Sequence, residues 1–474
     1  MTSVRLVTSE GDDVFSSLPE DVVDHMASLL SVKNAAAMSL VSKSWRHRWE
    51  TCPNLDFDLQ FVYPEEETGA GPMSQQKQQG YANWVNRVLA SHRGESVKLF
   101  RIRSTLAKEC NAYADIDQWI LHALRKRAQT LIIVDMPRYE SGHLLGKYTL
   151  PLWFSLKDAP FLEHLTLRSI CLGPFELSCI NHLTSLTLNN VVISDTWAHD
   201  MLRNCIHLRR LSLLGCTSIS ITKLVVPRHL QLQHLSLFSG LKYLREVEME
   251  GGESLESFEC PSNIIQGFSS EKLRNLRKLT LLDSSRLDTF NYVVTRLALD
   301  LPNLNKFHLS AVGGVYCPEN DVSRSNWTTF GQLRFLSLSC FRMSEEQLIK
   351  YVGLFLRMSP ILHTLELRQW DFTSEHHEQQ LTKRRFESEA RNDCNLKVVR
   401  IYGFEHCQTA LDLVAYILES CVNLETLQID RRKQLYMGEG EWRTDANQKC
   451  ESSPDGISEW FRTHVSSNAQ LVVL

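Results

Sequence analysis

The chain has 474 residues, 43% of them hydrophobic and 22% charged, with 51 Lys and Arg against 55 Asp and Glu for a net charge of −4. These fractions are those of a folded protein with room for two to four domains, or for one domain and a repeat array. The charge balance gives no electrostatic basis for binding nucleic acid or a membrane surface, and no run approaches the roughly eighteen apolar residues of a membrane span. The 13 cysteines stand singly with no C-x-x-C spacing, and the N-terminus has no apolar stretch of signal-peptide length. That usage predicts reduced thiols in the cytoplasm, the nucleus or both.

In chain order, residues 1–13 read as a disordered start and residues 14–58 as a small helical module. Leu18-Pro19 opens a helix, with Ser17 as N-cap and Pro19 at the first helical position. Val22, Val23, Met26, Leu29 and Leu30 follow as one stripe, and Ala37, Leu40, Val41, Trp45 and Trp49 repeat a similar spacing. This is more apolar surface than so small a unit buries alone, so the module is a cap on a larger domain or a docking surface. The string from Leu18 to Trp49 resembles an F-box. The match lies in the Leu-Pro start, the aliphatic stripe, Val41-Ser42-Lys43 and Trp45-Arg46. Trp49 and the tail Pro53-Asn54-Leu55-Asp56-Phe57-Asp58 resemble the plant version, while His25 and Met26 depart from the acidic residue and Ile common there. The resemblance implies docking on a Skp-family adaptor, and through it on a cullin–RING core. The residues it implies are Leu18, Pro19, Val22, Val23, Met26, Leu29, Leu30, Val41, Trp45 and Trp49.

Residues 59–80 read as a flexible linker, because Pro64 to Gly80 is rich in Glu, Gln and Gly with little to bury. Residues 81–127 form a junction with helical stretches at Tyr81 to Ser91 and Asp117 to Arg127. From residue 128 to 474 the chain repeats itself. The triplet Leu162-Leu165-Leu167 recurs from Leu183, Leu208, Leu232, Leu255, Leu276, Leu304, Leu333, Leu362, Leu396 and Leu424, with a weaker first copy at Ala128-Leu131-Ile133. Successive starts lie between 21 residues apart (Leu162 to Leu183) and 34 (Leu362 to Leu396). That pattern is a leucine-rich-repeat solenoid, since one repeat cannot bury its own leucines and neighbours must stack. The fold class expected is therefore α/β: a small all-helical F-box followed by a curved leucine-rich-repeat solenoid with a parallel concave sheet. Helices are predicted at Thr289 to Leu301, Glu345 to Met358 and Thr409 to Cys421, and outer strands at Ile221 to Val226 and Tyr243 to Met249. Residues 395–430 resemble the FBD region that ends many plant F-box proteins. Beyond it, Tyr436 to Gly456 reads as a polar loop, Ile457 to Val465 as a closing helix and Leu471 to Leu474 as a last strand.

No nucleotide-loop, nucleophile-elbow or H-E-x-x-H motif occurs. Glu375-His376-His377-Glu378 has metal-ligand residue types, but adjacent side chains diverge, so no metal or cofactor is expected. Alternation along each strand puts the residues between the leucines on the concave face. There the later repeats gather Lys306, His308, Phe335, Arg368, Arg400 and Tyr402, types enriched in interface hot spots and suited to an acidic or phosphorylated segment. The function this reading implies is a non-catalytic substrate receptor of an SCF-type cullin–RING ubiquitin ligase, capturing an unidentified target protein with its repeats. The alternatives are an F-box receptor for a small-molecule hormone and a repeat scaffold without ligase function.

Overall fold

The structure is a computed structural model. It describes residues 18–40, 42, 45–63, 74–104, 112–135, 148–151, 159–172, 182–218, 220–267, 270–282, 287–311, 327–340, 345–368, 395–404, 408–444, 459, 461 and 469–474. The chain divides into two compact units, Met1–Leu208 and Arg209–Leu474.

The first unit opens with helices α1 (Glu20–Leu29) and α2 (Val32–Met38). Pro19 caps α1 without a side-chain bond, and its fixed φ suits the position before the first turn. The Ser31 hydroxyl caps α2 by accepting the Asn34 N–H at 3.3 Å. The second apolar run is not one helix: α2 stops at Met38, and Trp45 and Trp49 lie in short turns beyond it. Val41 lies outside the described residues.

A parallel ladder follows, running β1 (Asn54–Asp58), β2 (Leu99–Ser104), β3 (Thr130–Asp135), β4 (His164–Arg168) and β5 (Ser185–Asn189) in order. It therefore begins at Asn54, inside the F-box tail, and not at residue 128. Leu55 and Phe57 of β1 are fully buried, and so are Phe100 and Ile102 beside them in β2, which is why these two leucine-poor segments extend the ladder. On the opposite face Arg101 forks onto Asp56 at 2.7 and 2.5 Å, and Arg103 reaches Asp58 at 3.1 Å. The Asn54 amide donates to the Ser28 and Leu30 carbonyls, fixing the end of α1 to the first strand. Helices α3 (Gln75–Ser91), α4 (Ala112–Arg125) and α5 (Asp195–Asn204) complete the unit. Helix α3 starts at Gln75, capped by Ser74, six residues before the predicted Tyr81. The rest of the Glu- and Gly-rich linker, residues 64–73, lies outside the described residues.

The second unit continues the same grammar. Strands β6 (Arg210–Leu214), β8 (His234–Phe238), β10 (Ser257–Pro261), β11 (Lys278–Leu282), β12 (Lys306–Ala311), β13 (Phe335–Cys340), β14 (Thr364–Arg368), β15 (Val398–Tyr402), β16 (Thr426–Asp430) and β19 (Gln470–Val473) form a parallel sheet in that order. Strands β7 (Lys223–Val226) and β9 (Glu246–Met249) pair behind it, where outer strands were predicted. Helices α6 (Leu287–Thr295), α7 (Leu297–Asp300), α8 (Glu345–Met358) and α9 (Gln408–Ser420) cover the leucine face, close to the predicted spans. Register is strict: Leu279, Phe307, Leu336, Leu365, Val399 and Leu427 are successive partners, all under 2% exposed. Strands β4, β5, β6, β8 and β15 are each followed directly by a residue of positive φ: Ser169, Asn190, Gly215, Ser239 and Gly403. A left-handed residue there turns the chain out of the ladder.

The loop expected from Tyr436 is a further departure from the sequence reading. Residues 434–444 are not loop but an antiparallel hairpin of β17 (Gln434–Gly438) and β18 (Glu441–Thr444). The Gly438-Glu439-Gly440 tip between Leu435-Tyr436-Met437 and Trp442 is the local hairpin signal, which the density of polar residues disguises. Most of the expected closing helix lies outside the described residues.

Phe307 sits in the middle of this core, fully buried, with ring centroids 6.0 Å from Phe330 and 6.5 Å from Phe355. Phe307→Ala is expected to cost about 3–5 kcal/mol in urea unfolding of the second unit, by lost transfer energy plus cavity. A loss below about 1 kcal/mol contradicts the packing described.

Candidate functional site

Two surfaces hold the residues singled out from the sequence. On the first unit, Val23, Ala27 and Trp45 form a small buried core, with Leu18, Met26, Leu30 and Met38 packed against it. Val22 and Val23 are neighbours and so point about 100° apart on a helix. Val23 is accordingly buried at 1%, while Val22 is 41% exposed. Leu29 is 70% exposed and Leu40 90%. Pro19 is exposed and Trp49 half-buried. The predicted stripe thus divides in two. Val23 and Trp45 hold the module together, whereas Pro19, Val22 and Leu29 are exposed, as is Leu40 beyond α2. Arg48 pairs with Asp24 and approaches Glu20 at 3.7 Å, tying the Trp45–Trp49 turn to α1.

On the second unit, the sheet face opposite the leucines is covered by the β17–β18 hairpin. One polar row crosses that face in register: Ser212, Ser236, Glu259, Thr280, His308, Ser337 and Glu366, each under 9% exposed. The hairpin satisfies much of it. Its tip, Gly438-Glu439-Gly440, has three consecutive positive φ values of 97°, 55° and 84°. A Cβ on Gly438 would lie 2.9 Å from Leu214 Cδ2, so the tip needs glycine for both shape and space. The Glu439 N–H donates to Glu259 Oε2 at 2.8 Å, Ser236 donates to the same oxygen at 2.9 Å, and Ser212 donates to the Glu439 carboxylate. Tyr436 packs on Phe238 and Trp442, at 5.4 and 4.8 Å, and His308 lies against both Tyr436 and Trp442. The Arg368 guanidinium is stacked between Tyr402 at 4.1 Å and Trp442 at 4.0 Å. It also bonds Gln434 and, at 2.5 Å, Glu366, whose other oxygen takes Arg400 at 3.1 Å.

The six residues proposed for target capture are therefore split. His308 and Arg368 are buried beneath the hairpin, and Arg400 and Tyr402 border it, partly exposed. Lys306 is exposed and Phe335 partly so, both at the starts of their strands. Burial pushes the His308 imidazole down to about 3, with Arg368 and Lys278 adding to the effect. Burial raises the Glu259 carboxyl, against the bonds from Glu439 and Ser236. No group of side chains able to hold a metal ion occurs among the described residues. Residues 375–378 lie outside them.

Comparison with known proteins identifies both parts of the chain. Residues 88–467 match the family described as At1g61320/AtMIF1, LRR domain, and residues 15–57 match the F-box domain. The putative F-box/LRR-repeat protein At3g58880 of Arabidopsis thaliana is 32% identical over 193 residues, 39% of this chain and 38% of that one. The putative F-box protein At3g58860 of the same plant is 23% identical over 448 residues, 89% of each chain. The F-box/FBD/LRR-repeat protein At1g13570, also of Arabidopsis thaliana, is 27% identical over 210 residues, 43% of this chain and 44% of that one. In the first and third of these the match spans less than half of the relative.

His308 gives this face a pH dependence. Folded, it stays neutral; released, it protonates below its ordinary value of 6.5. Stability of the second unit is thus lost as pH falls from about 6.5, by on the order of 1 kcal/mol at pH 5.5. Glu259, whose folded value is raised, acts in the opposite sense, so the two are separated by substitution. Urea unfolding at pH 7.5 and 5.5 is expected to show the loss, and His308→Gln to remove most of it.

Proposed function

The chain belongs to the leucine-rich-repeat family described as At1g61320/AtMIF1, LRR domain, with an F-box domain ahead of the repeats, and we propose that it is the target-binding subunit of an SCF-type cullin–RING ubiquitin ligase. The observation that carries the reading is the F-box match at residues 15–57, on a module whose core is closed while Val22, Leu29 and Leu40 stand in solvent. Leucines 70% and 90% exposed beside a buried tryptophan are costly for a lone module, and they suit burial on a partner. In this reading Pro19, Val22, Met26 and Leu29 insert into a Skp-family adaptor, with Leu30 and Trp49 at the margin. Val23 and Trp45 act through the shape of the module. The adaptor supplies the link to the cullin–RING core.

The second unit then holds a target protein. Catalysis in this scheme is proximity: target lysines are held at raised effective concentration near a ubiquitin thioester carried by another protein. This chain contributes binding and orientation, and no reacting group. No helix among the described residues is long and apolar enough to cross a membrane. A ligase subunit of this kind works in the cytoplasm, the nucleus or both.

The division within the F-box is testable by titrating the full chain with a plant Skp-family adaptor. Leu29→Asp is expected to weaken binding at least tenfold while leaving the thermal transition within about 2 °C, because the side chain touches little in the free protein. Val23→Asp is expected to lower both. Equal adaptor affinity for Leu29→Asp and the unaltered chain would remove the docking assignment.

A further inference from the structure

The β17–β18 hairpin covers the polar row without being part of the sheet that carries it. Among the described residues its strands pair only with each other. A two-stranded hairpin is marginal alone in water, so this one takes its order from the face beneath. The contacts that hold it are of the kind that joins separate chains: rings, an arginine and a few buried bonds. Tyr436 packs on Phe238, Trp442 stacks on Arg368, the Glu439 N–H donates to Glu259, and Ser212 donates to the Glu439 carboxylate. The outer side is open. Leu435, Gly440, Glu441, Arg443 and Thr444 are exposed, so among the described residues the hairpin is held from one side.

The cover is also chemically incomplete. Ser337 and Ser339 of β13 and Arg368 of β14 are buried on this face. Neither serine hydroxyl nor the Arg368 Nε–H has a hydrogen-bond partner among the described residues. Each unmet group costs stability while the hairpin stays closed, and an occupant that reaches it recovers that loss. The difference matters because a tethered hairpin competes at an effective concentration on the order of millimolar. A free segment displaces it only by making bonds that the hairpin leaves unmade.

We infer that the hairpin is a displaceable occupant of the target site, and that the target replaces it with a turn of like chemistry: an acidic residue at the tip and an aromatic ring on each arm. The resident segment supplies the template. Tyr436 and Trp442 each stand three residues from Glu439, which sets one ring against Phe238 and His308 and the other against Arg368. The tip suits an acid because Ser212 donates to it and because Lys278 Nζ lies beside Gly440, 3.0 Å from where a Cβ would stand. Glu259 accepts the tip N–H, so the face reads the backbone of a turn as well as its side chain. The inference rests on the target-receptor reading for the identity of the displacing chain; displacement of the hairpin is measurable without it.

The test uses the full chain and, as probe, a fluorescein-labelled cyclised peptide carrying Gln434–Thr444. Gly438→Val unseats the resident hairpin, because a Cβ there already lies 2.9 Å from Leu214 and 3.3 Å from Phe238. The probe is expected to bind this variant at least tenfold tighter than the unaltered chain, and a Glu439→Lys probe to lose that gain. A degenerate library of cyclised turns with glutamate fixed at the tip is expected to compete with the probe at least tenfold better than one with lysine fixed there. Equal probe binding to the two chains, or indifference to the tip residue, overturns the inference. Hydrogen exchange of the unaltered chain keeps the test open should Gly438→Val not fold. Residues 434–444 are expected to exchange at least tenfold faster than strands β12 to β14, and equal protection overturns the inference. Adaptor titration of the same chains separates the two readings, since a failed ligase assignment leaves probe binding standing and a fixed hairpin leaves adaptor binding standing.

Discussion

A strand with three leucines on one face has no stable place in water until another strand stacks beside it in register. That single constraint organises most of this protein. It forces Leu279, Phe307, Leu336, Leu365 and Val399 into one buried column, and it fixes which residues stand on the opposite face. It also explains why loop lengths between strands vary while register does not. The column is where the apolar area is buried, and an inserted loop residue costs little by comparison.

The same constraint creates a difficulty on the other face. In-register stacking aligns Ser212, Ser236, Glu259, Thr280, His308, Ser337 and Glu366 as a polar row, and such a row is either solvated or covered by something able to pair with it. This chain covers it with its own hairpin. Tyr436 and Trp442 supply rings for His308 and Arg368, and the Glu439 N–H supplies a donor for Glu259. The face that repeat geometry marks for binding is thus occupied from within.

Much of this was legible from residue spacing. The leucine triplets located strands β4 to β6, β8 and β10 to β16, because a strict apolar spacing survives irregular loops. The longer intervals held α6 to α9, where a repeat near twenty-eight residues leaves room for a helix. Strands β1 and β2 escaped because their core residues are Leu55, Phe57, Phe100 and Ile102, and the first pair also completes the F-box tail. The F-box stripe was read too broadly. Val22, Val23, Met26 and Leu29 on a ten-residue helix span more than one face, so only part of them can point outward. The docking place of the hairpin lay hidden because its partners Ser212 and Glu259 are 227 and 180 residues away in sequence. Nothing local to Gln434–Thr444 reveals that Ser212 and Glu259 await it.

In the proposed function the chain docks through its F-box and holds a target through its second unit, with separate surfaces for each. Hydrogen exchange of the full chain, alone and saturated with a plant Skp-family adaptor, examines that separation directly. The account predicts new protection confined to peptides within residues 18–58, with peptides from 209–474 exchanging as before. Protection spread over the second unit, or absent from residues 18–58, would contradict it.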